Sequence, residues 1–241
     1  GYEYIDGKVF YDWKKHGTIH SLQEAFDASC NISYAKLGLA LGEDKVLEFN
    51  NRFGFNSLPK TLSLPVSMSY SPKLGLSRYE LADTATGLGA DFRITPLNAA
   101  LIAAAIANDG VMMSPYLVEK LTTINGTVLK ENKPVVYKKS ISRQTAGFIT
   151  SMMLNEVERG IGAKARVPGL EVAGKTGTSG SRNPNFNAWF ICFAPVENPK
   201  IAIAVLAEQG GEGKDVAAPI AKKALKGIMQ FMDLNSDQEK K

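Results

Sequence analysis

Cysteine and histidine are scarce in this sequence of 241 residues, which has only Cys30, Cys192, His16 and His20. Two cysteines are too few for a disulfide framework, and they match no zinc-binding spacing. With two histidines, a histidine-based metal site is not expected either. The composition therefore predicts a protein without a metal and without a cofactor.

Long apolar runs and concentrated basic charge are also missing from the sequence. No stretch reaches the roughly 18 consecutive apolar residues that a transmembrane helix requires. The net charge is +4, but the lysines that produce it are spread along the chain in short pairs. Because no stripe of arginine with interleaved aromatic residues is present, the sequence does not predict a nucleic-acid partner.

What remains is the composition of a globular domain, with 44% hydrophobic and 22% charged residues. Apolar periodicity predicts helices over 21–42 (broken once), 44–52, 95–108, 142–159 and 214–234. Shorter apolar runs predict strands over 171–179, 188–194 and 201–207, and a hairpin over 122–137 around an Asn-Gly turn. Helices clustered around an antiparallel sheet favour an α+β class. We predict one domain over 1–234 and a polar tail over 235–241.

Capping signals support two of these helices. Ser21 and Glu24 have the spacing of a capping box, and Thr95 precedes Pro96, a residue favoured at the first helical position. Two segments, 1–20 and 56–90, show no clear period. We expect irregular structure in both, and a segment as long as 56–90 is typical of a functional or covering loop.

The stretch Lys175-Thr176-Gly177-Thr178 follows an apolar run that reads as a strand. A lysine beside a glycine places a positive charge next to a bare backbone edge, against which a substrate can lie as an added strand. Threonine hydroxyls can bind a carboxylate, and the Thr178 N–H is a candidate donor to a developing oxyanion. Alone, the triplet is more typical of an ordinary surface strand with a turn.

A second polar stretch, Ser29-Cys30-Asn31, lies within the first helical segment. A serine can relay a proton, and an asparagine two residues later can bind a substrate amide. Alone, this pair is also typical of a helix break. Cys30 between them is interpreted as a small buried packing residue, since no histidine is placed in sequence to activate it.

Taken in order, Ser-x-Asn and Lys-Thr-Gly resemble two of the three motifs of the active-site serine penicillin-recognising enzymes. The resemblance extends to the segments 21–26, 86–89, 94–97, 106–110 and 188–195. The sequence is therefore similar to the transpeptidase domain of a high-molecular-weight penicillin-binding protein. This resemblance implies a β-lactamase/D,D-transpeptidase-like fold, an antiparallel sheet flanked by helices.

The resemblance also implies an activity. Such enzymes cross-link peptidoglycan by attacking the D-Ala-D-Ala end of a stem peptide through a serine acyl-enzyme, and β-lactams acylate the same serine. Here Ser29, Asn31 and Lys175 would be the catalytic residues, moving protons and supplying charge. Thr176, Gly177 and Thr178 would bind the substrate and its terminal carboxylate. The implied location is the extracytoplasmic face of the bacterial cell membrane.

The family's first motif, Ser-x-x-Lys, carries the nucleophile and precedes Ser-x-Asn, but no residue before Ser29 forms it. Two later matches, 33–36 and 57–60, are interpreted as chance, the second because its proline disrupts a helical turn. We therefore expect a C-terminal portion of the domain, incomplete on its N-terminal side and inactive alone. Its exposed apolar face would bind the missing N-terminal part or drive self-association.

Two alternatives stay open at this point. The first is a natural non-catalytic relative, a structural or binding module that retains the fold without the serine. The second is a β-lactamase, which needs an acidic residue to activate water. Residues 56–79 contain no Asp or Glu, and Glu80 has no evident partner in the sequence. Arg166 and Arg182 could also reach a substrate carboxylate, although solvated surface positions are the simpler interpretation.

Overall fold

The structure is a computed structural model that describes residues 1–59, 65–180 and 186–238, with side chains to residue 232. The helices are α1 (Leu22–Ala28), α2 (Asn31–Leu41), α3 (Glu43–Arg52), α4 (Arg78–Thr86), α5 (Pro96–Ala107), α6 (Arg143–Glu158) and α7 (Ala217–Gln238). The strands are β1 (Tyr2–Ile5), β2 (Lys8–Tyr11), β3 (Val111–Met113), β4 (Lys120–Thr122), β5 (Val128–Glu131), β6 (Val136–Lys139), β7 (Ala173–Ser179), β8 (Asn187–Ala194) and β9 (Ile201–Ala207).

The largest sheet in the described part of the chain is antiparallel, with the strand order β7-β8-β9. Helix α7 packs on one face, where Leu225 shares a core with Phe190 and Cys192 of β8. Helices α5 and α6 cover the other face, where Met153 shares a core with Phe193. Because successive strand residues point to opposite faces, β8 joins both cores and the α+β prediction is confirmed.

Cys192 occupies the centre of this arrangement and is fully buried. Burial raises the pKa of its thiol to about 12, because the apolar surroundings disfavour the thiolate. The side chain is therefore a neutral packing group.

The break predicted within 21–42 falls at Ser29. Ser29 ends α1 in the left-handed conformation, with φ of 53°, and α2 begins two residues later. The Ser21 hydroxyl accepts the Glu24 N–H as predicted, but the Glu24 carboxylate accepts the N–H of His20, so only half of a capping box forms. The Thr95 cap and the first-turn Pro96 are confirmed.

Three predictions of local structure are wrong. Residues 2–11 form a hairpin through an Asp-Gly turn, and its buried Ile5 and Phe10 pack against α2 and α4. The irregular segment 56–90 contains α4, which begins with a capping box of Ser77 and Glu80. The hairpin predicted over 122–137 is shorter, because β5 pairs with β4 whereas β6 pairs with β3. In each case a tertiary partner, not local periodicity, decides the outcome.

The crossing of α2 and α4 depends on a small residue. A Cβ added to Gly38 would lie 2.2 Å from the Cβ of Ala85, a distance that neither helix can accommodate without moving. We expect Gly38→Ala to lower the free energy of unfolding by about 1–3 kcal/mol through overpacking, as measured by urea denaturation. The matched change Gly147→Ala, on α6 with open space around it, should instead stabilise the protein by up to about 1 kcal/mol. Equal effects of the two variants would contradict this packing argument.

No helix in the described part of the chain is both long enough and apolar enough to span a lipid bilayer.

Candidate active site

The two motif residues Ser29 and Lys175 meet, although 146 residues separate them in the chain. The left-handed turn between α1 and α2 presents the Ser29 hydroxyl, and β7 presents the Lys175 side chain. Lys175 Nζ lies 2.6 Å from Ser29 Oγ and donates a hydrogen bond to it. An ammonium in this position lowers the cost of a negative charge on the oxygen and leaves the serine proton available to a second partner.

Glu156 on α6 completes the charge arrangement. Its side chain is fully buried, and Oε2 lies 2.9 Å from Lys175 Nζ. The other oxygen, Oε1, accepts hydrogen bonds from the N–H and the hydroxyl of Thr176, at 2.9 and 2.8 Å. Burial raises the pKa of Glu156, and the Lys175 charge with the Thr176 donors opposes that rise. The ion pair between Glu156 and Lys175 therefore holds the lysine side chain in position beside Ser29.

Within the described residues, β7 pairs with β8 alone, so its other edge, which borders this lysine, has no strand partner there. The N–H of Thr176 donates to Glu156 and not to β8, and N–H groups alternate in direction along an antiparallel edge strand. The N–H of Thr178 therefore also points to the open edge, where an added peptide or an oxyanion could accept it. This N–H is the candidate oxyanion donor that the sequence predicts.

The threonine hydroxyls of β7 differ in availability. Thr176 is buried and donates its hydroxyl proton to Glu156, so binding a carboxylate would require it to leave that partner. Thr178 is exposed, and its oxygen accepts the N–H of Gly213 at 3.1 Å. Its own proton is then available to a ligand, which favours Thr178 over Thr176 as the contact for a substrate carboxylate.

The loop that precedes α7 packs against β7 at Gly213. A Cβ added to Gly213 would lie 2.2 Å from the carbonyl oxygen of Gly177 and 2.4 Å from that of Trp189. The bare glycine backbone is thus what allows the loop to reach Thr178. Asn31, the remaining predicted site residue, is the first residue of α2, and its N–H donates to Asp12 Oδ1.

The described residues of the two later Ser-x-x-Lys matches have partners outside this cluster. The Ser33 hydroxyl donates to Cys30 Sγ, whereas Lys36 pairs with Glu3 at 2.5 Å. The Ser57 hydroxyl bonds the hydroxyl of Tyr137 at 2.6 Å, and residue 60 lies outside the described residues. These contacts agree with the interpretation of both matches as chance spacings.

The remaining polar candidates have structural partners. Glu80 accepts bonds from the N–H and hydroxyl of Ser77 at the start of α4, and these bonds lower its pKa. Arg166 pairs with Glu158 on the surface, and Arg182 lies outside the described residues. A water-activating role for Glu80 would require it to give up a helix cap.

Glu156 was missed by sequence reasoning, although one signal was present. It lies three residues after Met153 and one before Val157, both buried on the inner side of α6. Residues three or four apart share a helix face, and glutamate is almost never fully buried unless it is paired. A charge inside an apolar stripe therefore indicated a buried partner, but only the fold identifies that partner as Lys175.

An antiparallel sheet between helical layers, with a serine turn facing a lysine on its open edge, defines the class of active-site serine penicillin-recognising folds. A family model described as the penicillin-binding protein transpeptidase domain matches residues 1–226. The chain belongs to this family.

Relatives and solved structures agree with that assignment. The chain is 35% identical to the peptidoglycan D,D-transpeptidase PbpA of Mycolicibacterium smegmatis, over 89% of this chain and 45% of the relative. The D,D-transpeptidase domain of a peptidoglycan glycosyltransferase from Eggerthella lenta superposes with a TM-score of 0.89 at 31% identity, covering 97% of this chain and 59% of that one. Penicillin-binding protein A of Mycobacterium tuberculosis, as a ceftriaxone acyl-enzyme, gives 0.85 at 32% identity, covering 93% and 53%. The chain thus spans about half the length of its relatives.

Proposed function

We propose that this chain carries the substrate-binding part of a peptidoglycan D,D-transpeptidase site, which acts on D-Ala-D-Ala stem peptides and binds β-lactams. The acylating serine belongs to a part of the domain outside this sequence, so the chain alone is inactive. The observation that carries this proposal is the 2.6 Å contact between Lys175 Nζ and Ser29 Oγ beside an open strand edge.

The proton chemistry assigned to the site follows from this contact. Lys175 keeps the Ser29 oxygen polarised, and Ser29 can pass its proton to or from a group that enters the site. Asn31, two residues later at the start of α2, positions the substrate amide in this proposal. These three residues act on a substrate held against β7, and none of them is the nucleophile in this proposal.

The edge of β7 supplies the binding surface. A stem peptide or a β-lactam lies along the strand, with its carboxylate near the Thr178 hydroxyl and the Lys175 charge. The Thr178 N–H stabilises the oxyanion that forms when the substrate carbonyl is attacked. Gly177 contributes bare backbone to this surface, and a Cβ added there would lie 3.2 Å from the Cβ of Trp189 on β8. Thr176 contributes to substrate binding in one of two ways. It acts indirectly by holding Glu156 in place, or directly once its hydroxyl has turned away from Glu156.

An apolar groove between α1 and α2 supports the proposed partner, the upstream portion of the same domain. The groove is lined by Leu22, Tyr34 and Leu37, among others. Leu22 and Leu37 are each 42% exposed. Large apolar side chains in one groove favour burial against another segment. Self-association through this groove is the outcome expected when that segment is absent. The parent protein would act at the extracytoplasmic face of the cell membrane.

Labelling with a fluorescent penicillin tests this proposal. We expect no covalent label on the 241-residue chain, and a label that survives denaturation on a chain extended upstream in its reading frame to include Ser-x-x-Lys. A labelled short chain would overturn the placement of the nucleophile. An unlabelled but folded extended chain would favour a non-catalytic binding module, and rapid hydrolysis of the β-lactam would favour a β-lactamase.

A further inference from the structure

Three side chains that can bind a metal converge behind the Ser29 turn. Asp12, His16 and Cys30 each offer one possible ligand atom, and these atoms all lie within 4.8 Å of one another. Asp12 Oδ2 is 2.6 Å from His16 Nε2 and 3.1 Å from Cys30 Sγ. Cys30 is buried, and the Asp12 side chain has no exposed surface. We propose that these three residues form a zinc site.

The hydrogen bonds around the cluster leave the ligand atoms directed inward. His16 Nδ1 is 2.7 Å from the carbonyl oxygen of Gly17, which can only accept, so Nδ1 carries a proton and the lone pair of a neutral ring lies on Nε2. Asp12 Oδ1 accepts the N–H groups of Trp13 and Asn31, which leaves Oδ2 as the inward oxygen. A histidine oriented by a carbonyl and a carboxylate held by other donors are the outer contacts typical of metal ligands.

The close approach of His16 Nε2 and Asp12 Oδ2 requires a proton or a cation between them. A lone pair on Nε2 and a carboxylate oxygen 2.6 Å apart repel each other unless a proton or a cation lies between them. A proton would satisfy this pair alone, whereas a cation would also bind the sulfur. Atoms coordinating a tetrahedral zinc are about 3.3–3.8 Å apart, so Asp12 Oδ2, now 2.6 Å from His16 Nε2 and 3.1 Å from Cys30 Sγ, would have to move away from both to admit the ion.

The ligand set selects the metal. A thiolate with an imidazole suits zinc, whereas magnesium and calcium take oxygen ligands. The His16 side chain is 18% exposed, so a water molecule can reach the fourth position. The expectation of no metal, drawn from the sequence, rested on spacing and on the number of histidines. It overlooked ligands that come from the segment after β2 and from the turn before α2.

Zinc binding would affect the neighbouring substrate site by fixing the position of the serine turn. Cys30 lies between Ser29 and Asn31, and Asp12 already binds the N–H of Asn31. The Trp13 indole also donates to the carbonyl of Ala28, at the end of α1. A metal bound to Asp12, His16 and Cys30 would therefore tie the serine turn to the segment after the N-terminal hairpin.

Zinc titration of the untagged chain against a chromophoric chelator tests the proposal. We expect one equivalent of Zn²⁺ to bind, and Cys30→Ser or His16→Ala to lower the affinity by about 100-fold or more, since even the loss of an outer contact costs 10–100-fold. His20→Ala removes the other histidine, which is exposed, and should bind zinc like the unchanged chain. Zinc should also raise the Tm of the unchanged chain and of His20→Ala only.

Cobalt provides a direct readout of thiolate coordination in the unchanged chain. Co²⁺ bound to the unchanged chain should give a thiolate-to-metal charge-transfer band in the near ultraviolet, which Cys30→Ser abolishes. A chain that retains no zinc after dialysis, or a cobalt spectrum without the thiolate band, would refute the site. Equal zinc affinity of Cys30→Ser and His20→Ala would do the same and would leave a proton-bridged pair of Asp12 and His16.

Discussion

Glu156→Gln is expected to lower the free energy of unfolding by about 3 kcal/mol, as measured by urea denaturation. The glutamine oxygen can keep the bonds from Thr176, but its amide group would face Lys175 Nζ, which is 2.9 Å from the original Oε2. Removing one partner of a buried ion pair costs about 3–5 kcal/mol because the other charge is left uncompensated. The lower end of this range, about 3 kcal/mol, applies because the Lys175 side chain is 20% exposed and its charge is therefore not completely buried.

Glu158→Gln is the matched control on the same helix. Its carboxylate pairs with Arg166 at 3.4 Å, and both side chains are more than two-fifths exposed. Exposed pairs contribute about 0–1 kcal/mol, so this variant should unfold like the unchanged chain. The double variant Glu156→Gln with Lys175→Met should recover part of the loss, because the unpaired charge is then gone. Equal losses from Glu156→Gln and Glu158→Gln would contradict the buried pair.

Lys175→Ala is expected to slow acylation by penicillin about 10²–10⁴-fold in a domain extended to include its acylating serine. This range is that of positioned proton transfer, and the loss removes the ammonium that polarises Ser29. Ser29→Ala should reduce the same rate. Because the two side chains are in contact at 2.6 Å, the double variant should be little slower than the worse single variant. Stopped-flow measurement of acylation would give these rates.

Ser33→Ala serves as the control for this series and tests a competing assignment. Its hydroxyl donates to Cys30 Sγ and not to Lys175, so acylation should proceed at nearly the unchanged rate. If Ser33→Ala abolished labelling while the folded state persisted, Ser33 would be the nucleophile. Additive effects of Ser29→Ala and Lys175→Ala would show that the contact between them has no role in acylation.

Regular elements that fill the core were predictable from the sequence. The three strands of the main sheet and helices α5 and α6 have strong apolar patterns, and the structure places them within a few residues of the predicted bounds. Helix α4 and the N-terminal hairpin were missed because each is short and gains its stability from contacts between distant segments, such as Phe10 with Ala82. Local patterns report only weakly on such elements.

The residues of the candidate site also fall into two groups, those that the sequence indicates and those that only the fold identifies. Ser29, Asn31 and Lys175 could be selected from motif order and resemblance alone. Glu156 could be noticed as a charge on an apolar helix face, but its partner depends on how α6 packs beside β7. The convergence of Asp12, His16 and Cys30 left no spacing signal, because residues from two segments approach each other only after the hairpin folds.

Residue types, their order and the hydrophobic periods can be taken from the amino-acid sequence, and these were sufficient for the α+β class and the family motifs. Tertiary structure alone decided which groups lie within bonding distance and which lose contact with water. The physical reason is that hydrogen bonds and charge interactions act over a few ångströms in space, whereas Ser29 and Lys175, or Thr176 and Glu156, approach each other only when the packing of helices on the sheet brings them together.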